Sequence, residues 1–158
     1  MRKKIAPVIV AVSLVVGIFI MIPAEKVRAA EEIITIDDSV LLEKEEESIG
    51  EMSTQTKGQY LQSGSSKIVR AGVGKIAVGG TTIAQKTVSS IRVSVTVERL
   101  VNGSWLSYSS WSASKTNTYS VTTSKTLTVP RGYYYRVKSI HKADSDIGNS
   151  NTSGLYVE

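Results

Sequence analysis

The chain has 158 residues, a formal net charge of +5, no cysteine and one histidine, His141. This length allows one ordinary domain with a leader. Without cysteine there is no disulfide, no thiol catalysis and no cysteine-based metal site, and a single histidine excludes any site that needs two imidazoles.

Charge is distributed unevenly along the chain. Residues 1–29 have a net charge of +4, residues 30–51 a net charge of −8, and residues 52–158 a net charge of +9. A chain that lacks the first segment is nearly neutral but polarised from end to end. The overall isoelectric point therefore says little about the surface.

The first segment, residues 1–29, has the order of a secretory signal peptide. Three basic residues at positions 2–4 precede an apolar run over residues 5–22, and Val27 and Ala29 are small residues at the −3 and −1 positions. We predict cleavage after Ala29, with Ala24 as the second choice, and hence a secreted, extracellular protein. The alternative is a membrane-anchored protein, because an uncleaved run over residues 5–22 is long enough to span a bilayer.

The next segment, residues 30–57, is acidic, contains no aromatic residue and shows little periodicity. Low hydrophobicity combined with high net charge predicts a disordered leader. One stretch that begins at Ser39 has the pattern of a short helix with that serine as its cap. We expect no stable helix there without a partner.

From residue 58 the composition changes to Val, Ile, Thr, Ser and Tyr, with frequent glycine and no sustained helical spacing. Short strands with turn signals about every ten residues predict one antiparallel β-sandwich, immunoglobulin-like or fibronectin type III-like, over residues 58–158. Predicted strands lie near residues 60–62, 66–71, 75–78, 81–86, 91–100, 104–111, 118–121, 124–129, 133–141 and 154–157.

The clearest element is a β-hairpin around Asn102 and Gly103. Apolar residues alternate with polar ones from Ile91 to Val97, which is the pattern of a half-buried strand. Asn and Gly both tolerate the positive φ that a type I′ turn requires, so the strand is expected to turn there and return.

Alternation also predicts which side chains face the core. The predicted inward residues are Ile76, Val78, Ile91, Val93, Val95, Val97, Trp105, Leu127, Val129, Tyr133, Tyr135 and Val137. The residues between them near the end of the chain, Tyr134, Arg136 and Lys138, share the opposite face. A tyrosine after the corner at Pro130 is expected to hydrogen-bond back to the chain, as in fibronectin-type sandwiches.

Several motifs resemble a family of short exported proteins from Gram-positive bacteria, classed as a domain of unknown function. They are GKIAVGGTTIA at 74–84, VERL at 97–100, GYYYRVKSIHKA at 132–143 and TSGLYV at 152–157. The resemblance covers roughly residues 45–157, and GYYYRV is its most specific part. It implies export and a single domain, and it supplies no activity and no catalytic residues.

Motifs that suggest catalysis have simpler explanations. Two Ser-x-x-Lys matches, Ser112 with Lys115 and Ser139 with Lys142, lack the helix that would bring both side chains to one face. We expect His141, at a strand end without a second histidine, to be a packed or edge residue. The run of oxygen donors from Asp144 to Asn151 lacks two ligands of the EF-hand pattern, so we expect a polar loop.

Cofactors and nucleic acid are not expected. The glycines at 72, 74, 79 and 80 have no helix after them, so they predict bulges and tight turns and not a phosphate site. No metal is expected to be required for folding. The basic residues are scattered over many strands, whereas a nucleic-acid site requires a clustered stripe.

The aromatic residues of the hairpin suggest a binding surface. In strand register Trp105 and Trp111 share one face and Tyr108 takes the other, and flat aromatic faces can stack on sugars. The plainer interpretation places both tryptophans in the core, Trp105 more surely. The candidate binding surface consists of Trp111, Tyr108, Tyr134, Arg136 and Lys138.

These features predict a secreted, non-enzymatic binding module, with an anionic cell-wall polymer or a glycan as its partner. The alternative is a secreted inhibitor or antimicrobial effector that the acidic leader masks. In that case residues 30–51 would lie loosely over a basic surface of the sandwich. An enzyme ranks third, since no acid, base and nucleophile cluster in the sequence.

Overall fold

The computed structural model describes residues 33–53 and 58–158 of the chain. The predicted signal peptide, residues 1–29, and the alternative membrane anchor over residues 5–22 lie outside these ranges. Within the ranges, no helix is long and apolar enough to cross a membrane.

Nine strands and no helix make up the regular structure of the described residues, which confirms the all-β prediction. The strands are β1 (Thr35–Ile36), β2 (Ser39–Leu42), β3 (Glu47–Glu51), β4 (Leu61–Arg70), β5 (Lys75–Val101), β6 (Ser104–Thr128), β7 (Tyr133–Ala143), β8 (Asp146–Asn151) and β9 (Gly154–Val157).

The β5–β6 hairpin is the longest element, with strands of 27 and 25 residues. Asn102 and Gly103 have φ of 50° and 78°, which confirms the predicted type I′ turn. Each strand joins three of the short strands expected from the sequence. The polar residues between them do not reverse the chain. Both strands stay paired through these stretches, although Asn117 on β6 has a φ of 50° and the pairing register slips between Ile83 and Val88. Such an irregularity bends the strand.

All nine strands belong to one sheet in the order β1-β2-β9-β7-β5-β4-β3, with β6 paired to β5 and β8 to β7. The first part of β5 pairs with β4 and its second part pairs with β7. The bend between these parts curls the sheet, so that β4 lies over β7 and β8 as in a sandwich. The pair of β2 with β9 is parallel, and the sheet is therefore mixed.

Glycines allow the two halves of the curled sheet to approach closely. Gly64 on β4 lies against the ring of His141 on β7, where any side chain would collide with it. At Gly80 an added Cβ would lie only 2.8 Å from Ser139 Oγ. The prediction of a bulge or turn is therefore wrong for Gly80, whereas Gly74, with φ of 62°, does lie in the turn between β4 and β5.

The core contains nine of the twelve residues that alternation assigned to it. These are Ile76, Val78, Ile91, Val93, Val95, Val97, Val129, Tyr135 and Val137. Leu127 is half-buried and packs against them. Tyr133 lies on the same face as Tyr135 but is exposed, and Trp105 is half-buried on the other face, so neither belongs to the core as predicted. The Tyr135 hydroxyl donates to the carbonyl of Pro130 at 2.8 Å, which confirms the expected return hydrogen bond.

The acidic segment is part of the sheet, so the prediction of a disordered leader over residues 30–57 is wrong for its described part, residues 33–53. β3 pairs with β4 over five residues. β1 and β2 form a hairpin with Asp37 and Asp38, both at positive φ, as its turn. Ser39 begins strand β2 and caps no helix.

The composition of this segment suggested disorder because its stabilising partners lie elsewhere in the sheet. Neighbouring strands provide backbone hydrogen bonds, and basic side chains provide opposite charges. Lys67 pairs with Glu47 at 2.7 Å, and Arg136 pairs with Asp37 at 2.9 Å. The folded domain therefore begins before residue 58, the predicted boundary.

Candidate functional site

A β-bulge decides where the aromatic residues of β6 point. Val97 pairs with Ser109 and Glu98 pairs with Ser107, so Tyr108 is left without a partner residue on β5. An extra residue in one strand reverses the alternation beyond it. Trp111, opposite the buried Val95, therefore faces inward, whereas Trp105 lies on the outer face. The predicted common face of the two tryptophans does not exist.

Four residues on the inner face meet where β5 ends and β6 and β7 begin. This tyrosine–arginine cluster consists of Arg99, Tyr108, Tyr133 and Tyr135. The Arg99 guanidinium carbon lies 4.7 Å from the centroid of the Tyr133 ring and 5.7 Å from that of Tyr108. The rings of Tyr108 and Tyr135 meet edge to face at 5.7 Å.

The cluster combines an unneutralised cation with accessible aromatic rings. Arg99 forms no ion pair within the described part of the chain, and its Nε is buried without a hydrogen-bond partner. Tyr108 and Tyr133 are 38% and 36% exposed. Burial raises the pKa of Tyr135, and the nearby Arg99 opposes that rise. The arrangement suits a ligand that carries negative charge beside a flat ring or sugar face.

Trp111 lies further along the same open side of the sandwich. Its Nε1 donates to Thr123 Oγ1 at 3.0 Å, and Lys125 Nζ lies 4.8 Å from the centroid of its ring. Tyr108 similarly reaches across to the carbonyl of Thr128 at 3.5 Å. Both hydrogen bonds join the first half of β6 to its second half. Trp111 is half-buried, with the Lys125 side chain over its ring.

Arg136, a member of the predicted binding surface, is only 1% exposed. Its Nε donates to Glu98 at 2.6 Å and its Nη2 to Asp37 at 2.9 Å. Nη1 donates to Ser39 Oγ at 2.8 Å, and the guanidinium stacks on Trp105 at 4.4 Å. The acidic hairpin β1–β2 thus covers this arginine.

The five predicted surface residues therefore divide between two faces. Tyr108 and Trp111 lie on the inner face, whereas Tyr134, Arg136 and half-buried Lys138 lie on the outer face of β7. The Tyr134 hydroxyl donates to Glu43 at 2.8 Å, within the acidic segment. Burial, and then this hydrogen bond, raises the pKa of Tyr134 to about 12. The sequence prediction did not include Arg99, because no sequence signal indicates the bulge that brings Tyr108 next to Arg99.

A buried polar network joins the two halves of the sheet. Ser150 Oγ lies 2.8 Å from His141 Nε2, and Thr82 Oγ1 lies 2.8 Å from Nδ1. Ser66 Oγ donates to Ser139 Oγ at 2.7 Å and lies 2.7 Å from Ser150 Oγ. Serine beside histidine resembles a nucleophile with its base, but these groups are at most 3% exposed, so no substrate reaches them. Burial lowers the pKa of His141 to about 4, and the expected packed histidine is confirmed.

The Ser-x-x-Lys matches do not bring their residues together. Ser139 is buried and Lys142 is exposed, on opposite faces of β7 as expected. Ser112 and Lys115 are both exposed and lie within β6.

The acidic residues of the Asp144–Asn151 stretch organise the backbone. The Asp144 carboxylate accepts a hydrogen bond from Ser90 N at 2.9 Å, and that of Asp146 accepts one from Tyr60 N at 2.6 Å. Backbone hydrogen bonds of this kind lower the pKa of Asp146. Among the described residues no three acidic or histidine side chains are grouped to hold a metal ion.

Together the curled sheet and the tyrosine–arginine cluster define a small all-β domain with an aromatic, cationic surface site. The chain matches a family of unknown function, DUF6147, over residues 27–155 and belongs to that family. This match confirms the resemblance to a family of unknown function, and it extends further towards the N-terminus than the motifs do. A search of curated proteins finds no match.

Proposed function

We propose that this protein is an exported, non-enzymatic binding module and that its tyrosine–arginine cluster holds an anionic cell-wall polymer or charged glycan. The observation that carries the proposal is Arg99, a half-buried cation placed between two exposed tyrosine rings without an acidic partner in residues 33–53 and 58–158.

A comparison with the other enclosed arginines supports this choice of residue. Arg136 contacts two carboxylates, and Arg70 lies 3.9 Å from Glu46 and contacts the carbonyl of Glu43. Removing an arginine from water is costly unless an opposite charge compensates. Arg99 has no such compensation within the described fold, so a bound phosphate or carboxylate would provide it through paired hydrogen bonds.

The class of ligand follows from the neighbouring rings and from the expected location. Tyrosine presents a flat apolar face with a polar hydroxyl, which suits the face of a sugar or polyol. The signal-peptide pattern over residues 1–29 favours export, where wall polymers are the abundant polyanions. The segment after residue 29 is nearly neutral overall, so attraction to such a polymer would depend on this local site and not on bulk charge.

The test compares Arg99→Gln with Arg92→Gln in binding to purified cell wall, teichoic polymer, and charged and neutral glycans. Arg92 is an exposed arginine on the same strand, with the opposite orientation. We expect Arg99→Gln to weaken binding about tenfold or more, since a charge-assisted hydrogen bond is lost, and Arg92→Gln to bind normally. Equal binding by both variants, or no binding to any anionic ligand, would overturn the proposal.

Stacking is tested separately through Tyr133→Ala. This residue is exposed and lies outside the core, so the variant should fold normally. We expect weaker binding to sugar-containing polymers and little change for inorganic phosphate, because phosphate has no face to stack. Weaker binding to both would assign the tyrosine a role in holding Arg99 in place.

A second candidate is a secreted inhibitor or antimicrobial effector masked by its acidic segment. The observation that favours it is the cover that β1–β2 forms over Arg136 and Trp105. Release of this hairpin by a protease would then switch on an activity against cells or enzymes. An activity that is identical before and after cleavage would exclude masking.

A further inference from the structure

The hairpin β1–β2 shares little strand pairing with the rest of the fold, and side-chain contacts provide most of its attachment. β2 pairs with β9 through two residues only, Leu41 with Gly154 and Leu42 with Leu155, and in parallel orientation. By contrast β3, the next strand, forms five antiparallel pairs with β4. The residues between them, 43–46, are exposed, and Glu43 contacts the side chains of Tyr134 and Arg70. The hairpin can therefore detach while the main sheet stays paired.

Beneath the hairpin lies a surface shaped for an extended acidic chain. Arg136 donates hydrogen bonds to the carboxylate and the carbonyl of Asp37, at 2.9 and 3.0 Å, and to the Ser39 hydroxyl. Trp105 Nε1 donates to the carbonyl of Ile36 at 3.1 Å. One carboxylate combined with backbone carbonyls and a strand edge is the recognition pattern of a domain that binds a peptide by strand addition.

Gly154 allows side chains to pack directly against the backbone of β9. A Cβ at that position would lie 2.8 Å from Trp105 Cη2 and 2.9 Å from Leu41 Cδ2. Without a side chain on β9, the indole and the leucine of the incoming strand both pack against its backbone. Apolar packing thus accompanies the charge pairing at the same place.

Departure of the hairpin leaves Arg136 incompletely satisfied. Glu98 still accepts from Nε at 2.6 Å, but Nη1 and Nη2 lose every partner the structure gives them. A guanidinium with unused donors in a partly enclosed place strongly favours a replacement carboxylate. Three acceptors leave with the hairpin, namely the carboxylate and the carbonyl of Asp37 and the hydroxyl of Ser39. An acidic side chain on an extended backbone would replace the first two.

We propose that Arg136, Trp105 and the free edge of β9 form a binding site for an acidic extended peptide of a partner protein, and that hairpin β1–β2 is its built-in occupant. The tether of residues 43–46 keeps this occupant at a millimolar effective concentration, so a free peptide competes only when the intramolecular contact is weakened. This site lies on the face opposite the tyrosine–arginine cluster, and the Arg99→Gln variant should leave it unaffected.

The test uses the full mature chain and a fluorescent peptide with the sequence of residues 33–44. Asp37→Asn removes the carboxylate that pairs with Arg136, and we expect that chain to bind the peptide about tenfold more tightly than wild type does. Asp38→Asn is the matched control, because it removes the same charge from the neighbouring exposed turn residue. A peptide with the Asp37→Asn change should bind neither variant.

Hydrogen exchange of the unmodified chain provides a second measurement. We expect residues 35–42 to exchange faster than residues 47–51, because the hairpin opens alone. Equal peptide binding by the Asp37→Asn and Asp38→Asn chains would overturn the proposal. So would equal protection of both segments, or loss of the whole fold in Asp37→Asn, since each would make the hairpin an integral part of the domain.

Discussion

The buried histidine makes the stability of this domain depend on pH in a defined direction. The His141 ring is fully buried and contacts the hydroxyl groups of Thr82 and Ser150. Burial lowers its pKa from 6.5 to about 4. As the pH falls below 6.5, the unfolded chain binds a proton that the folded chain does not, and the free energy of unfolding decreases.

The expected loss is about 1.4 kcal/mol for each pH unit in which only the unfolded state is protonated. Between about pH 6.5 and about pH 5 the histidine alone therefore removes about 2 kcal/mol, a sizeable part of ordinary domain stability. The pKa values of Asp37 and Asp146 are also lowered. Their contributions are present above the usual carboxyl pKa and are lost only as the pH falls through it, below this window.

Urea unfolding of wild type and of His141→Gln, at several pH values across this window, measures the effect. Glutamine retains an amide that can reach the two hydroxyl groups but does not titrate. We expect the variant to be less stable at neutral pH and to show a nearly flat profile where wild type shows a slope. Parallel profiles for the two proteins would refute the assignment of the slope to His141.

Other predictions concern the turn, the leader and export. Gly103→Val places a β-branched residue at positive φ and should lower the free energy of unfolding by about 1–2 kcal/mol in thermal melts; an unchanged melt would contradict the turn. Deletion of residues 30–57 removes β3 and should lower the melting temperature. Mass spectrometry of secreted protein should find Ala30 at the N-terminus. Chelator dialysis should leave the melting temperature unchanged, and a drop would indicate a metal at Asp144–Asn151.

Local pattern was enough to predict the central hairpin and most of the core. Alternation from Ile91 to Val97 and the Asn102–Gly103 pair report directly on burial and turn geometry, because each depends only on neighbours in sequence. The return hydrogen bond of Tyr135 followed from the corner at Pro130 for the same reason.

Features that depend on distant partners could not be predicted in this way. The bulge at Tyr108 reverses the alternation of β6, and nothing in its serine-rich sequence marks the position. The acidic segment has the composition of a disordered chain, yet Asp37 finds Arg136, 99 residues away. The tyrosine–arginine cluster depends on this bulge, and on the register in which β5, β6 and β7 meet.

The central claim is that Arg99 and its tyrosines form the ligand site, and an NMR titration of the chain from Ala30 onward with teichoic polymer tests it most directly. The account predicts that the Arg99 Nε–H signal and the Tyr108 and Tyr133 ring signals shift first and saturate together. Shifts confined to exposed lysines such as Lys115, with Arg99 unmoved, would contradict it.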